Sequence, residues 1–114
     1  MKLSDVKTIL ESSGIPIMTW ETPDLDDSGN DVPVPFATLT KPENGDVYYA
    51  DNEVTEAYAV VNLFLVLRKD DEANELAMDR CLRANGFDFT YKMTYLFNQA
   101  YLVKTYIFNI KEDL

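Results

Sequence analysis

From residue 57 to 69 the chain reads AYAVVNLFLVLRK. Ala59, Val61, Leu63, Leu65 and Leu67 fall on one side of a period-two pattern, and Tyr58, Val60, Asn62, Phe64 and Val66 on the other. That alternation predicts a long β-strand whose first face enters the core, while its second face is too apolar for plain solvent. FDFTYKMTYL and AYLVKTYIFNI predict two more strands joined around Phe97 to Gln99, with Tyr106, Phe108 and Ile110 on the buried side of the last. Helical spacing occurs twice. Near the N-terminus Val6, Ile9 and Leu10 recur on one side, with Ser4 placed to cap the start and Gly14 to end the helix in a left-handed turn. The second helix, DDEANELAMDRCLRANG, opens on Asp70 or Asp71 and closes on Asn85-Gly86, with acids in its first turn and Arg80 and Arg83 in its last. Its apolar stripe is read as Ala73, Leu76, Ala77, Cys81 and Ala84, small enough to lie close on a sheet.

Between these segments IPIMTW alternates weakly, and FATLTK and VYYAD flank PENGD, where Asn44-Gly45 predicts a tight hairpin turn. TPDLDDSGNDVPVP, with three prolines, a glycine and an acidic cluster, predicts the longest loop, mobile over about residues 21–32. Helix, strands, helix and two strands leave no room for βαβ alternation. The expectation is an α+β fold: a largely antiparallel sheet of about four to six strands with two helices packed on one face.

Composition narrows what such a fold can do. The 114 residues suit one domain, and 46 % apolar content supplies a core. No apolar run reaches the ~18 to 20 residues of a membrane span, and MKLSDVKTILESSG carries charges where a secretory signal has none, so a soluble protein made in the cytoplasm is expected. Twenty acids against ten bases give a formal charge of −10, which opposes tight binding to nucleic-acid phosphates. The chain has no His and one Cys, so zinc sites and Ser-His-Asp or Cys-His catalysis lack a required member. No cofactor is implied.

DLDDSGND resembles the start of a calcium loop. Asp24, Asp26 and Ser28 can stand at the first side-chain ligand positions, and Gly29 falls where such a loop turns sharply. Asp31 then stands where an apolar residue belongs and Pro35 where a bidentate Glu belongs, so the stretch is read as a solvated acidic loop carrying Asp24, Asp26, Asp27 and Asp31. Asp46, Asp51, Glu53 and Glu56 offer carboxylates with no sign of the apolar surroundings that general acid-base work needs. The glycines are scattered at turns and caps, and Cys81 sits on an apolar helix stripe, where an inert thiol is the ordinary outcome. Only Lys92 and Lys104 accompany the aromatics of FTYKMTYLFNQAYLVKTY, too few for a single-stranded nucleic-acid platform. No catalytic, cofactor or metal residue is therefore assigned.

Apolar residues on the solvent sides of strands, among them Tyr48, Phe64, Val66, Tyr95, Phe97, Tyr101 and Val103, point instead to assembly. Val34, Phe36, Tyr48, Tyr49 and Asn52 are candidate interface residues on one side and Tyr95, Phe97 and Tyr101, from the last two strands, on the other, with Phe64 a further candidate.

A short N-terminal helix, the strand VPVPFATLT, YYADNEV leading into VVNLFLVLRKDDEANE, a helix ending in RANGF and a closing YLVKTYIFNI together resemble the tail terminator, or tail-to-head joining, proteins of long-tailed bacteriophages and prophages. The likeness runs from about Met1 to Ile110 and carries no catalytic signature; the acidic loop from Glu21 to Asp31 departs from the usual pattern. The resemblance implies a non-enzymatic virion protein, made in the host cytoplasm and found at the head-proximal end of the tail. Its expected partners are itself, as a hexameric ring, the major tail tube protein and the head-closure or connector protein, with double-stranded DNA passing unbound. The alternatives are another small connector or tail completion protein, or an acidic adaptor domain binding a basic partner.

Overall fold

The computed structural model describes residues 2–19, 34–50, 53–96 and 100–111, giving the backbone alone for 42–50, 53–56 and 96. Helix α1 (Leu3–Glu11) leads into β1 (Ile17–Thr19); β2 (Phe36–Ala50) and β3 (Glu53–Arg68) follow, then α2 (Glu72–Ala84), β4 (Phe89–Leu96) and β5 (Tyr101–Lys111). The five strands form one sheet in the order β1-β2-β3-β5-β4, antiparallel throughout except for the parallel β1–β2 pair. This is the α+β architecture expected, with one parallel edge added by the short strand inside IPIMTW.

The long strand behaves as its alternation requires. Ala59, Val61, Leu63 and Leu65 are wholly buried and Leu67 is 1 % exposed. Their Cα partners on β5 are Ile110, Phe108, Tyr106, Lys104 and Leu102, so the two strands present one continuous face. Val6 and Leu10 of α1 and Met78, Cys81 and Leu82 of α2 join these residues in a single core, which puts both helices on that face. The opposite face holds a smaller cluster of Phe36 and Val66, packed with Met18, Val34 and Val103.

Helix α1 starts earlier than Ser4 suggests. The N-cap is Lys2, whose backbone N–H is taken by the Asp5 carboxylate at 2.9 Å, while Ser4 lies inside the helix. An acid at the third helical position can satisfy the cap N–H from within, so no Ser cap is needed. Both expected glycine stops occur: Gly14 and Gly86 have φ of 83° and 77°, the left-handed conformation that favours glycine. In α2 Asp71 caps the start by accepting from the Asn74 backbone N–H, and the Phe87 N–H closes the end on the Leu82 carbonyl.

Two expectations are corrected. Asn44-Gly45 does not reverse the chain: β2 runs through it to Ala50, which pairs with Glu53 across the reversal. The register slips between Thr40 and Glu43 and again between Asn44 and Val47, the intervals that contain Pro42 and Gly45. A residue without an N–H and one without a Cβ fit bulges as readily as turns, which is why the pair reads ambiguously in sequence. The inward stripe of α2 is also rotated from the one read. Met78, Cys81 and Leu82 are buried, whereas Ala73 and Ala84 are exposed and Leu76 is 47 % exposed. A choice by small size placed the stripe about a third of a turn away from the large apolar residues that contribute most to burial.

Candidate interaction surface

Helix α2 is tied to the sheet by a polar cluster whose sequence signal was overlooked. Lys104 lies on the core face of β5 and is only 3 % exposed. Its Nζ reaches Asp79 Oδ1 and Oδ2 at 3.1 and 3.3 Å and Glu75 Oε2 at 3.6 Å, both carboxylates coming from α2. Tyr106, wholly buried, donates its hydroxyl to Asp79 Oδ1. Burial pushes the Tyr106 phenol well above its ordinary range, and the Asp79 hydrogen bond and charge push the same way, because a phenolate there would be both desolvated and repelled. The clue in the sequence is a Lys between Leu102 and Tyr106 on an apolar face, matched by acids at i and i+4 of the preceding helix.

The cluster sets where α2 stops covering the sheet. Lys104 also lies over the Tyr91 ring at 4.4 Å and the Tyr106 ring at 4.9 Å, and the Arg83 guanidinium stands 5.7 Å from the Phe89 ring. Such contacts favour the cation without neutralising it. Phe89, Tyr91, Met93 and Tyr95 pair with Phe108, Tyr106, Lys104 and Leu102, so they continue the core face outward onto β4. There the cover ends: Tyr91, Met93 and Tyr95 are 55 %, 44 % and 51 % exposed. Leu76 of α2 is exposed as well, and among the described residues nothing pairs with the outer edge of β4. An unpaired edge strand with three large, half-exposed apolar side chains is the candidate interaction surface of the described residues.

The sequence-derived interface residues are dispersed over the molecule. Tyr95 belongs to this edge. Tyr101 begins β5 half-buried, and Phe64 is half-buried on the face opposite α1 and α2. Phe36 is 2 % exposed, so its ring is taken up within the chain, and Val34 packs against the same small cluster. Tyr48 and Tyr49 lie near the end of β2, where its pairing with β3 extends beyond the rest of the sheet. Asn52, Phe97 and the acidic residues Asp24, Asp26, Asp27 and Asp31 lie outside the described residues. Tyr91, Met93 and Leu76 were missed as candidates, because periodicity gives them the same inward reading as the core residues beside them. Cys81 is buried as expected, its Sγ 3.4 Å from Ser12 Oγ at the contact between the helices.

Among the described residues no helix is long and apolar enough to cross a membrane, and no group of three His, Cys, Asp or Glu is placed to hold a metal ion. Comparison with protein-family models and with curated proteins finds no match to this chain.

Proposed function

We propose that this protein is a structural, non-enzymatic component of a bacteriophage or prophage virion, forming a ring at the head-proximal end of the tail that ends the tube and joins it to the head connector. The observation that carries the reading is the exposed apolar edge of β4, joined to the resemblance that the order of elements in the sequence bears to tail terminator proteins. A closed ring needs two different patches on each subunit, one for each neighbour. The β4 edge supplies one, and the two-stranded end of the β2–β3 pair, on a molecule 57 Å long, supplies a second. A formal charge of −10 suits a channel through which DNA passes without adhering, because like charges repel the phosphates.

Electron microscopy of the purified protein mixed with tail tubes is the test. Six-fold rings at one tube end are expected. Decoration along the tube sides, or no binding, would sink the assignment, and stable monomers that instead capture a basic protein would favour the adaptor alternative.

A further inference from the structure

The two edges of the sheet are built differently. The β1 edge is three residues long, follows Pro16 directly and pairs in parallel with β2. The β4 edge runs for eight residues, and its register against β5 is unbroken from Phe89 with Phe108 to Leu96 with Tyr101. Edge strands are ordinarily kept from pairing with another chain by shortness, proline, a bulge or charged side chains, above all charges turned inward. In FTYKMTYL there is no proline, no register shift and no charge on the inward face that carries Tyr91, Met93 and Tyr95. The single Lys92 lies on the other face, between Thr90 and Thr94, and every residue from Thr90 to Tyr95 is exposed.

We propose that in the free chain β4 pairs antiparallel with β4 of a second copy across a two-fold axis, joining two five-stranded sheets into one. Residues opposite one another in such a ladder share a face, so the axis must pass by a residue, and Lys92 or Met93 is the centre that pairs most of the strand. Centring on Lys92 sets two like charges opposite each other, which is destabilising. Centring on Met93 sets Met93 against Met93, Tyr91 against Tyr95 twice and Lys92 against Thr94, so the strand complements itself and needs no charged partner. The two β5 strands, each beneath its own α2, then stand about 14 Å apart, with six large apolar side chains in the strip between two helices. The area agrees. Half of three such side chains is on the order of 300 Å² per copy. Together with the threonines and the free backbone of the strand, two copies bury about 1,000 Å², the lower bound of a specific interface, so the dimer is a weak one. The pairing goes beyond the ring reading and does not rest on it; it occupies the edge that the ring gives to a neighbour, so a dimer must open as a ring closes.

Sedimentation of the full chain over a concentration series, joined to oxidative cross-linking of single-cysteine variants, tests it. Wild type is expected to pass from monomer to dimer and no further, and to dimerise several-fold more tightly at high salt, because each copy carries a formal charge of −10. Met93→Lys places a charge at the axis and should weaken the dimer at least about tenfold with the thermal midpoint of the monomer unchanged. Met93→Cys should cross-link to itself; Tyr91→Cys and Tyr95→Cys should each stay uncross-linked alone and join when mixed. Wild type, whose one cysteine is the buried Cys81, is the control and should give no cross-link. Monomeric wild type at every concentration overturns the proposal, whether or not it takes up a strand of another protein. Dimers that survive Met93→Lys, or that leave Met93→Cys uncross-linked, use another face and overturn it too, as does growth beyond a dimer. Tube-end rings from a chain that is monomeric when free would sink the pairing and keep the tail assignment; cross-linked dimers without tube-end rings would keep the pairing and sink the tail assignment.

Discussion

The centre of the sheet and its β4 edge carry the same pattern and meet different fates. Leu63 and Leu65 on β3, and Tyr106 on β5, are wholly buried. Tyr91, Met93 and Tyr95 continue that face one strand further and are each about half exposed. Alternation, aromatic content and sheet membership do not separate them. What separates them is α2, which is pinned over β5 by the Lys104 to Asp79 and Glu75 contacts and goes no further. A core face is one that another element covers; here the same face, one strand further on, is left exposed.

The difference should appear first in stability. Leu63→Ala, in the covered centre, is expected to cost about 3 kcal/mol through lost transfer energy and the cavity left behind. Tyr95→Ala on the edge should cost much less, about 0.5 kcal/mol, because the residue is already half exposed to water. Urea unfolding of both variants measures the contrast, and equal losses would mean that the edge is as fully packed as the centre.

The pin comes next. Lys104→Met leaves two carboxylates facing the sheet without their cation and is expected to cost about 2–3 kcal/mol. The figure stays below that for a fully buried pair because the Asp79 and Glu75 side chains are 19 % and 23 % exposed and partly screened. Adding Asp79→Leu together with Tyr106→Phe should recover part of the loss, as removing the partners together costs less than stranding one. A triple variant less stable than Lys104→Met would show that the cluster holds α2 by some other contact.

The smallest effect is a pH slope. Tyr106 has its phenol raised above the ordinary 10.0 in the folded state. As pH rises through 10.0 the unfolded chain releases this proton while the folded chain keeps it, so stability falls with increasing pH by about 1.4 kcal/mol per unit from this group. Tyr106→Phe should be about 1 kcal/mol less stable at neutral pH, for the lost bond to Asp79, and should lack this component of the alkaline decline. Denaturant midpoints for the two chains between pH 8 and 11 should converge; parallel curves would mean that the phenol is not held in its neutral form.

Much of this fold was legible from short-range pattern. The β3 alternation, the buried side of β5, the Asp71 cap and the stops at Gly14 and Gly86 follow from spacing and from backbone freedom at single residues. The failures share a cause. Asn44-Gly45 suits both a turn and a bulged strand, and continued pairing of residues 47–50 with β3 decides between them. The α2 stripe depends on which flank meets the sheet, and large side chains outweigh small ones there. Phe36 passes for a surface aromatic until Val66 and Met18 are seen beside it.

By itself, then, the order of residues determined the elements, their caps and the period of each strand, because these depend on backbone preferences and neighbours a few positions away. Only the tertiary structure decided that Lys104 belongs in the core and Tyr91, Met93 and Tyr95 do not. Burial depends on what lies across from a side chain, and there the crossing element is a helix held over β5 by two carboxylates from a segment some 25 residues away in sequence.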